Sequence, residues 1–370
     1  MEIGIMTQPF SGNYGGILQN WALQQVLRRM GHDPVTVEVV PSHTVSQEWK
    51  YLKMNTKALA SRVTLQRPGR WFTWEKRRFT EAVAVPLRAF VDTQIRTCRV
   101  HASGLGALTA GLGAWIVGSD QVWRPAYNPD LSLPYLAFAT DPSVRKIAYA
   151  ASFGVDTWEY TPAQTAAARQ AAARFDAVSV RERSGVGLCR EHLGVTAEHV
   201  LDPTLLLDRE AYLPLCDGDV HPGGTLLVYF LDPTPGKTAW AASLAAARGL
   251  KMDAVLPFSL AGMQRREAGD FRLRPVGAWL RAFLEADAVV CDSFHGLLFS
   301  LLFEKDFWIV PHEGRGNARF VSVLEDLGLR DRILPADGSL PEAGLPDWFA
   351  VRARLSALRA SSLAFLENNL

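Results

Sequence analysis

The chain has 370 residues, 48% hydrophobic and 21% charged, which excludes a disordered protein and predicts about two globular domains at roughly 150 residues each. Thirty-nine Lys and Arg against 38 Asp and Glu leave a formal net charge of +1, so attachment to nucleic acid through a bulk basic field is excluded. Four widely spaced cysteines without a Cys-x-x-Cys pair indicate neither a zinc ribbon nor a disulfide framework.

The first residues, Met1-Glu2-Ile3-Gly4, are strand-like with no basic segment before an apolar run, so no signal peptide is expected. Ile3-Gly4-Ile5-Met6 reads as a short buried strand, followed by a turn-rich loop from Thr7 to Gly16. Leu23, Leu27 and Met30 then recur at helical spacing up to Gly31, and Val35 to Val40 resumes as a strand. Strand, glycine-containing loop, helix and strand open a Rossmann-like unit, although Gly-x-Gly-x-x-Gly is absent. Residues 41–112 read as mostly helical, and the uncharged stretch 102–119 is too interrupted by glycine to span a bilayer. Short strands are expected at 114–117, 146–151, 177–180 and 198–201, with a helix from Thr161-Pro162 between the middle two.

Residues 217–224 read as a linker. Beyond it a second series places strands near 226–231, 252–256, 288–291 and 307–310, with helices at about 236–248, 277–286, 296–304 and 318–327. The predicted fold is α/β, with two Rossmann-like domains facing a cleft. The N-terminal domain is 1–216, the expected acceptor side; the C-terminal domain is 225–346, the expected donor side. A helical tail at 347–370 can pack back on the first domain or dock across both.

Asp292-Ser293-Phe294-His295-Gly296 is the sharpest constellation. It follows the apolar run 288–291 and starts a helix, the place where open α/β sheets bind ligands and where an anion is favoured. His295 could donate a proton there, or be a structural histidine in a capping turn. Arg181-Glu182-Arg183 follows a strand and suits phosphate or carboxylate; equally, the arginines could be solvated or pair with Glu182 and Asp202. Gly118-Ser119-Asp120-Gln121-Val122-Trp123 leaves room for a sugar, with Asp120 to accept a hydroxyl proton and Trp123 and Tyr127 to pack against it, or is a plain turn. Asn13-Tyr14-Gly15-Gly16 carries the same ambiguity. Arg319, in the first turn of a helix, hints at an anionic partner because a cation there opposes the dipole, although a solvated surface arginine explains it as well.

Taken in order, these blocks resemble the polysaccharide pyruvyl transferase family, together with Ala148 to Gly154 and Asp202-Pro203-Thr204-Leu205-Leu206. The resemblance spans nearly all of 1–335, with 41–112 weakly matched. It implies a glycosyltransferase-B-like arrangement and transfer of pyruvate from phosphoenolpyruvate onto a sugar of a polysaccharide or its lipid-linked precursor, usually as a cyclic ketal. It implies no metal and no nicotinamide, with phosphoenolpyruvate as co-substrate and a saccharide acceptor. Family donor residues match Arg181 and His295, so the expected donor site is Arg181, Arg183, Ser293, His295, Gly296 and Arg319. His295 and Asp120 are the expected acid and base. Asn13, Tyr14, Gly15, Ser119, Gln121 and Trp123 are the expected acceptor site. The family block often reads Asp-Arg-Leu-His-Gly, so Ser293 and Phe294 depart from it, and that bears on how the donor is held. A sugar-nucleotide glycosyltransferase and a non-catalytic saccharide-binding relative stay open as alternatives.

A cytoplasmic protein is expected. Segment 62–90 interleaves Arg62, Arg67, Arg70, Lys76, Arg77, Arg78 and Arg88 with Trp71, Phe72, Trp74 and Phe79. Such a helix suits a peripheral contact with an anionic membrane face, or is a solvated helix whose aromatics pack on the N-terminal domain.

Overall fold

The computed structural model describes residues 1–10, 12–40, 52, 56, 73–128, 130–216, 218–221, 223–255, 273–311, 316–334, 339 and 344–370, the side chains of 73–77 excepted. The first sheet has seven parallel strands in the order β3-β2-β1-β4-β5-β6-β7: β1 Glu2–Met6, β2 Asp33–Val40, β3 Thr97–His101, β4 Ala114–Val117, β5 Arg145–Ala151, β6 Ala177–Val180 and β7 Glu198–His199. The second has four parallel strands in the order β11-β10-β8-β9: β8 Thr225–Tyr229, β9 Lys251–Ala254, β10 Ala288–Cys291 and β11 Asp306–Ile309. Central strands covered on both faces need unbroken apolar runs, and Ala-Trp-Ile-Val of β4 and Ala-Val-Val-Cys of β10 are buried throughout.

Of 41–112, read as mostly helical, the described residues hold helices Thr73–Gln94 and Leu105–Thr109, with β3 added as an edge strand, and 41–51, 53–55 and 57–72 lie outside the described residues. Thr97-Cys98-Arg99-Val100-His101 is half exposed, so no hydrophobic run announces it. The strand expected at 198–201 stops at His199, because Asp202 and Pro203 start a 3₁₀ turn whose cap is the Asp202 side chain.

One apolar core runs continuously between the two sheets. It includes Ile17 and Trp21 of helix Tyr14–Arg29, Tyr212, and Trp279, Phe283 and Phe299 from the second half. Tyr14 stacks on Trp279 at 5.0 Å and 12°, and its hydroxyl donates to the Arg274 carbonyl at 2.8 Å. Helix Trp348–Asn369 lies across both halves. Its Ser362 Oγ accepts from Leu201 N–H at 2.9 Å and Arg359 Nε donates to Leu205 O at 2.8 Å, while Arg352 pairs with Glu304 at 2.7 Å. No helix among the described residues is long and apolar enough to cross a membrane.

Of the basic aromatic segment 62–90, residues 62–72 lie outside the described residues. Phe79 is buried in the core, and Arg88 makes two bonds to Glu38 at 2.8 and 3.0 Å. Those two side chains are engaged with the protein.

Candidate active site

Each sheet reverses strand order once, and crevices at such switch points bind ligands. In the first sheet the switch falls between β1 and β4, followed by Thr7-Gln8 and Gly118-Ser119-Asp120; in the second it falls between β8 and β10, followed by Phe230-Leu231 and Asp292-Ser293. A cavity of about 590 Å³ lies between the two crevices. The first half gives it Gln8, Phe10, Asn13, Asp120, Gln121 and Tyr127, and the second gives it Ser293, Phe294, His295, Arg319 and Phe320. A slightly larger cavity of about 630 Å³ lies over helix Pro162–Ala172, but among the described residues its charged lining is Asp130 and Arg174 alone, which lacks the cluster of cations and histidine found in the cleft.

Behind the cleft sits a buried charge cluster centred on Asp202. Arg181 donates to Asp202 Oδ2 at 2.8 Å and to Asp120 Oδ1 at 3.1 Å, with its side chain fully inaccessible. His295 Nε2 lies 3.7 Å from the same Asp202 oxygen and has no hydrogen-bond partner among the described residues. Burial alone would raise both carboxyls. For Asp202, His295 and then Arg181 overcome it; for Asp120, Arg181 leads, followed by His295 and Arg319, so both end below the usual carboxylate range. Asp120 sits at φ 69°, a left-handed backbone that non-glycine residues adopt rarely and mainly at constrained sites.

Phe294 organises the cations. The Arg181 guanidinium lies 4.5 Å from its ring centroid and that of Arg319 5.4 Å. Burial and then repulsion from Arg181 bring Arg319 down to about 10, still charged at neutral pH. An anion in the cavity would relieve that repulsion. The helices Phe294–Leu302 and Ala318–Leu327 both begin here, adding their positive ends. Asp292 ties the second crevice together by accepting from Leu231 N–H at 2.5 Å, Asp232 N–H at 3.2 Å and Lys237 Nζ at 2.6 Å.

Of the expected donor residues, Ser293, His295 and Arg319 line the cavity. Ser293 also caps helix Phe294–Leu302, its Oγ accepting from Gly296 N–H at 3.3 Å. Arg181, Arg183 and Gly296 do not line it. Arg181 is consumed by two carboxylates. Arg183 points outward to Asp326 of helix Ala318–Leu327, and its N–H donates to Ser322 Oγ at 3.1 Å. Gly296 packs so closely that an added Cβ would lie 2.9 Å from Cys291 Sγ.

Of the expected acceptor residues, Asn13 and Gln121 line the cavity, and Asn13 Oδ1 caps the first helix by accepting from Gly15 N–H at 3.1 Å. Tyr14, Ser119 and Trp123 do not. Tyr14 is spent on Trp279 and Arg274. Ser119 is fully buried and donates to Gln19 Oε1 at 2.8 Å. Trp123 is also fully buried, stacked on Tyr135 at 5.0 Å with Nε1 donating to Pro134 O at 2.9 Å. Gly15 stands behind His295 rather than in the cavity. Asp120 lines the cavity, but a carboxylate paired with Arg181 and held below its ordinary range is a poor proton sink, which argues against it as the base.

Residues on the cavity wall that were not expected from the sequence include Gln8, Phe10 and Asn128, and Asp202 was not expected at the centre of the charge cluster. Gln8-Pro9-Phe10 directly follows β1, and that position was the available signal. Among the described residues no group of three or more His, Cys, Asp or Glu could hold a metal ion.

Solved structures similar to the chain align over nearly its whole length, but loosely. UGT89C1 of Arabidopsis thaliana complexed with UDP-L-rhamnose is 11% identical, with 99% of this chain and 97% of that one covered and a TM-score of 0.48. The glycosyltransferase SnogD from Streptomyces nogalater is 17% identical, with 98% and 95% covered and a TM-score of 0.41. The UDP-GlcNAc 2-epimerase from Methanocaldococcus jannaschii is 7% identical, with 96% and 92% covered and a TM-score of 0.45. A comparison with curated proteins found no match. The family described as polysaccharide pyruvyl transferase matches residues 13–314, a span that starts at the Asn13 cap and includes Asp120, Arg181, Asp202 and His295. That span covers well over half of the chain, and the chain belongs to the polysaccharide pyruvyl transferase family.

Proposed function

We propose that the cleft transfers pyruvate from phosphoenolpyruvate to two hydroxyls of a saccharide, forming a cyclic ketal and releasing inorganic phosphate. The observation that carries this reading is the pairing of a cavity-lining cation, Arg319, with His295 at two helix N-termini. The donor has a phosphate and a carboxylate on three carbons, and Arg319, Ser293 and the helix N–H groups supply the matching charge and donors. The donor thus sits on the second half, with the saccharide against Asn13, Gln121 and Tyr127 of the first.

The reaction needs a proton delivered to C3, a hydroxyl added to C2, phosphate expelled, and a second hydroxyl added in its place. His295 is the group placed to move protons, and Asp202 stabilises a positive charge on the ring from 3.7 Å. Asp120 accepts a hydrogen bond from the attacking hydroxyl and orients it, and the departing phosphate leaves toward Arg319. One hydroxyl proton balances the proton given to C3; the other leaves with phosphate or solvent.

Incubating the protein with phosphoenolpyruvate and a panel of saccharides tests the reading. Phosphate release with a saccharide mass increase of one pyruvate less one water is expected. Titration that finds tight binding of sugar nucleotides and none of phosphoenolpyruvate would replace it with a glycosyltransferase.

A further inference from the structure

The loop after β1 has two faces. Gln8, Pro9, Phe10 and Asn128 line the cleft and also line an adjoining cavity of about 290 Å³. This second cavity lies at the carboxyl ends of β1 and β4 and along β2, at the same end of the sheet as Asp120.

Its remaining walls are mainly apolar, among them Val37, Val39, Val117, Val122, Leu133 and Pro134. Its side-chain donors already serve the protein: Thr7 Oγ1 donates to Ser119 O at 3.3 Å, Gln8 Nε2 to Gln121 O at 2.9 Å, Thr36 Oγ1 to Asn20 Oδ1 at 2.8 Å and Asn128 Nδ2 to Val122 O at 2.8 Å. Glu38, the charged group of the described wall, is held by Arg88. A sugar ring asks its site for donors as well as acceptors. A wall that has committed its donors and otherwise shows valine, leucine and proline favours hydrocarbon.

We propose that this cavity is an acceptor subsite for an apolar group carried by the saccharide, a hydrocarbon aglycone seated here while the sugar occupies the cleft. The proposal rests on the cleft being the acceptor's place. The shared wall at Gln8–Phe10 and Asn128 makes the two cavities neighbours along one molecule, so sugar and aglycone are bound together and their contributions combine.

The test is calorimetric titration of the full chain with methyl and n-octyl β-D-glucopyranoside, the latter below its micelle concentration. The octyl compound is expected to bind one per chain and at least about tenfold tighter, a factor that burial of about two methylenes supplies. Val39→Trp and Leu133→Trp fill the cavity from different walls, and each is expected to bring the ratio of the two affinities near one. The wild-type ratio stands even where a variant fails to fold. A wild-type ratio near one, no octyl glucoside binding, or a ratio that survives both substitutions overturns the proposal. Phosphoenolpyruvate-dependent phosphate release is followed on the same samples, and its absence removes the proposed reaction while the chain-length ratio remains readable.

Discussion

A β-carbon added to Gly15 would lie 2.0 Å from His295 Nδ1, so the first helix approaches the imidazole only because that position carries no side chain. Gly15→Ala favours an isolated helix by about 1 kcal/mol, so a weaker helix cannot explain a loss of function. The methyl group has to displace the ring. We expect turnover to fall at least about tenfold while far-ultraviolet circular dichroism is unchanged, as displacement of a positioned catalytic group predicts. Turnover within twofold of wild type would show that ring placement is not limiting.

His295→Gln keeps a polar side chain of similar reach and removes proton transfer. A loss of about 10²–10⁴-fold in turnover is expected, with phosphoenolpyruvate still binding in a calorimetric titration. Turnover retained within a few-fold would rule out the acid–base role.

Arg319→Gln removes the cation that lines the cavity and leaves Arg181 in its buried pairs. The dissociation constant for phosphoenolpyruvate should rise at least about tenfold, since a charge-assisted bond to an anion is worth about 1.5–3 kcal/mol. An unchanged constant would move the anion site to the helix N-terminus at Ser293.

The location of His295 was legible because a four-residue apolar run ending in Asp-Ser marks both a strand end and a helix cap within a few residues. The partner of Arg181 was legible as one of two readings, since Asp202 stands at the end of the next strand in the sheet. Arg183 was not. Its partner Asp326 lies on a helix of the other half, and no local pattern distinguishes an arginine that reaches across an interface from one that reaches into a cleft. Trp123 misled for a related reason. An aromatic next to a glycine turn can stack on a ligand or on Tyr135, and only the tertiary packing separates the two.

Arg181→Met leaves Asp120 and Asp202 buried without their shared cation. Removing one partner of such a cluster costs about 3–5 kcal/mol, so a large drop in the chemical-denaturation midpoint is expected. In the wild type both carboxyls titrate below the ordinary value of 3.8, so the stability they supply is complete above that pH and is lost only as pH falls through the lower folded-state values. Acid unfolding should therefore begin at higher pH in the variant. Identical acid-unfolding curves would show that Arg181 does not hold the two carboxylates charged.

His199 gives the opposite behaviour at milder pH. Burial lowers its imidazole below the ordinary 6.5 and Arg183 adds to the lowering, with Asp326 opposing. As pH falls through 6.5 the unfolded chain takes up a proton that the folded chain refuses, so stability decreases by up to about 1.4 kcal/mol per unit. Denaturant titrations between pH 5 and 7.5 should show this slope in the wild type and a shallower one in His199→Gln. Equal slopes would assign the pH dependence elsewhere.

Helix Trp348–Asn369 is made after every strand, yet its seat includes Leu201, Leu205 and the ring of Tyr149, which meets Phe365 at 6.1 Å. During synthesis N-terminal units fold first. The seven-stranded half therefore spends the whole translation of the other half with an apolar seat facing water, closed only when the late helix leaves the ribosome. A nascent chain stalled near residue 340 would present that seat to any chaperone that binds exposed hydrocarbon.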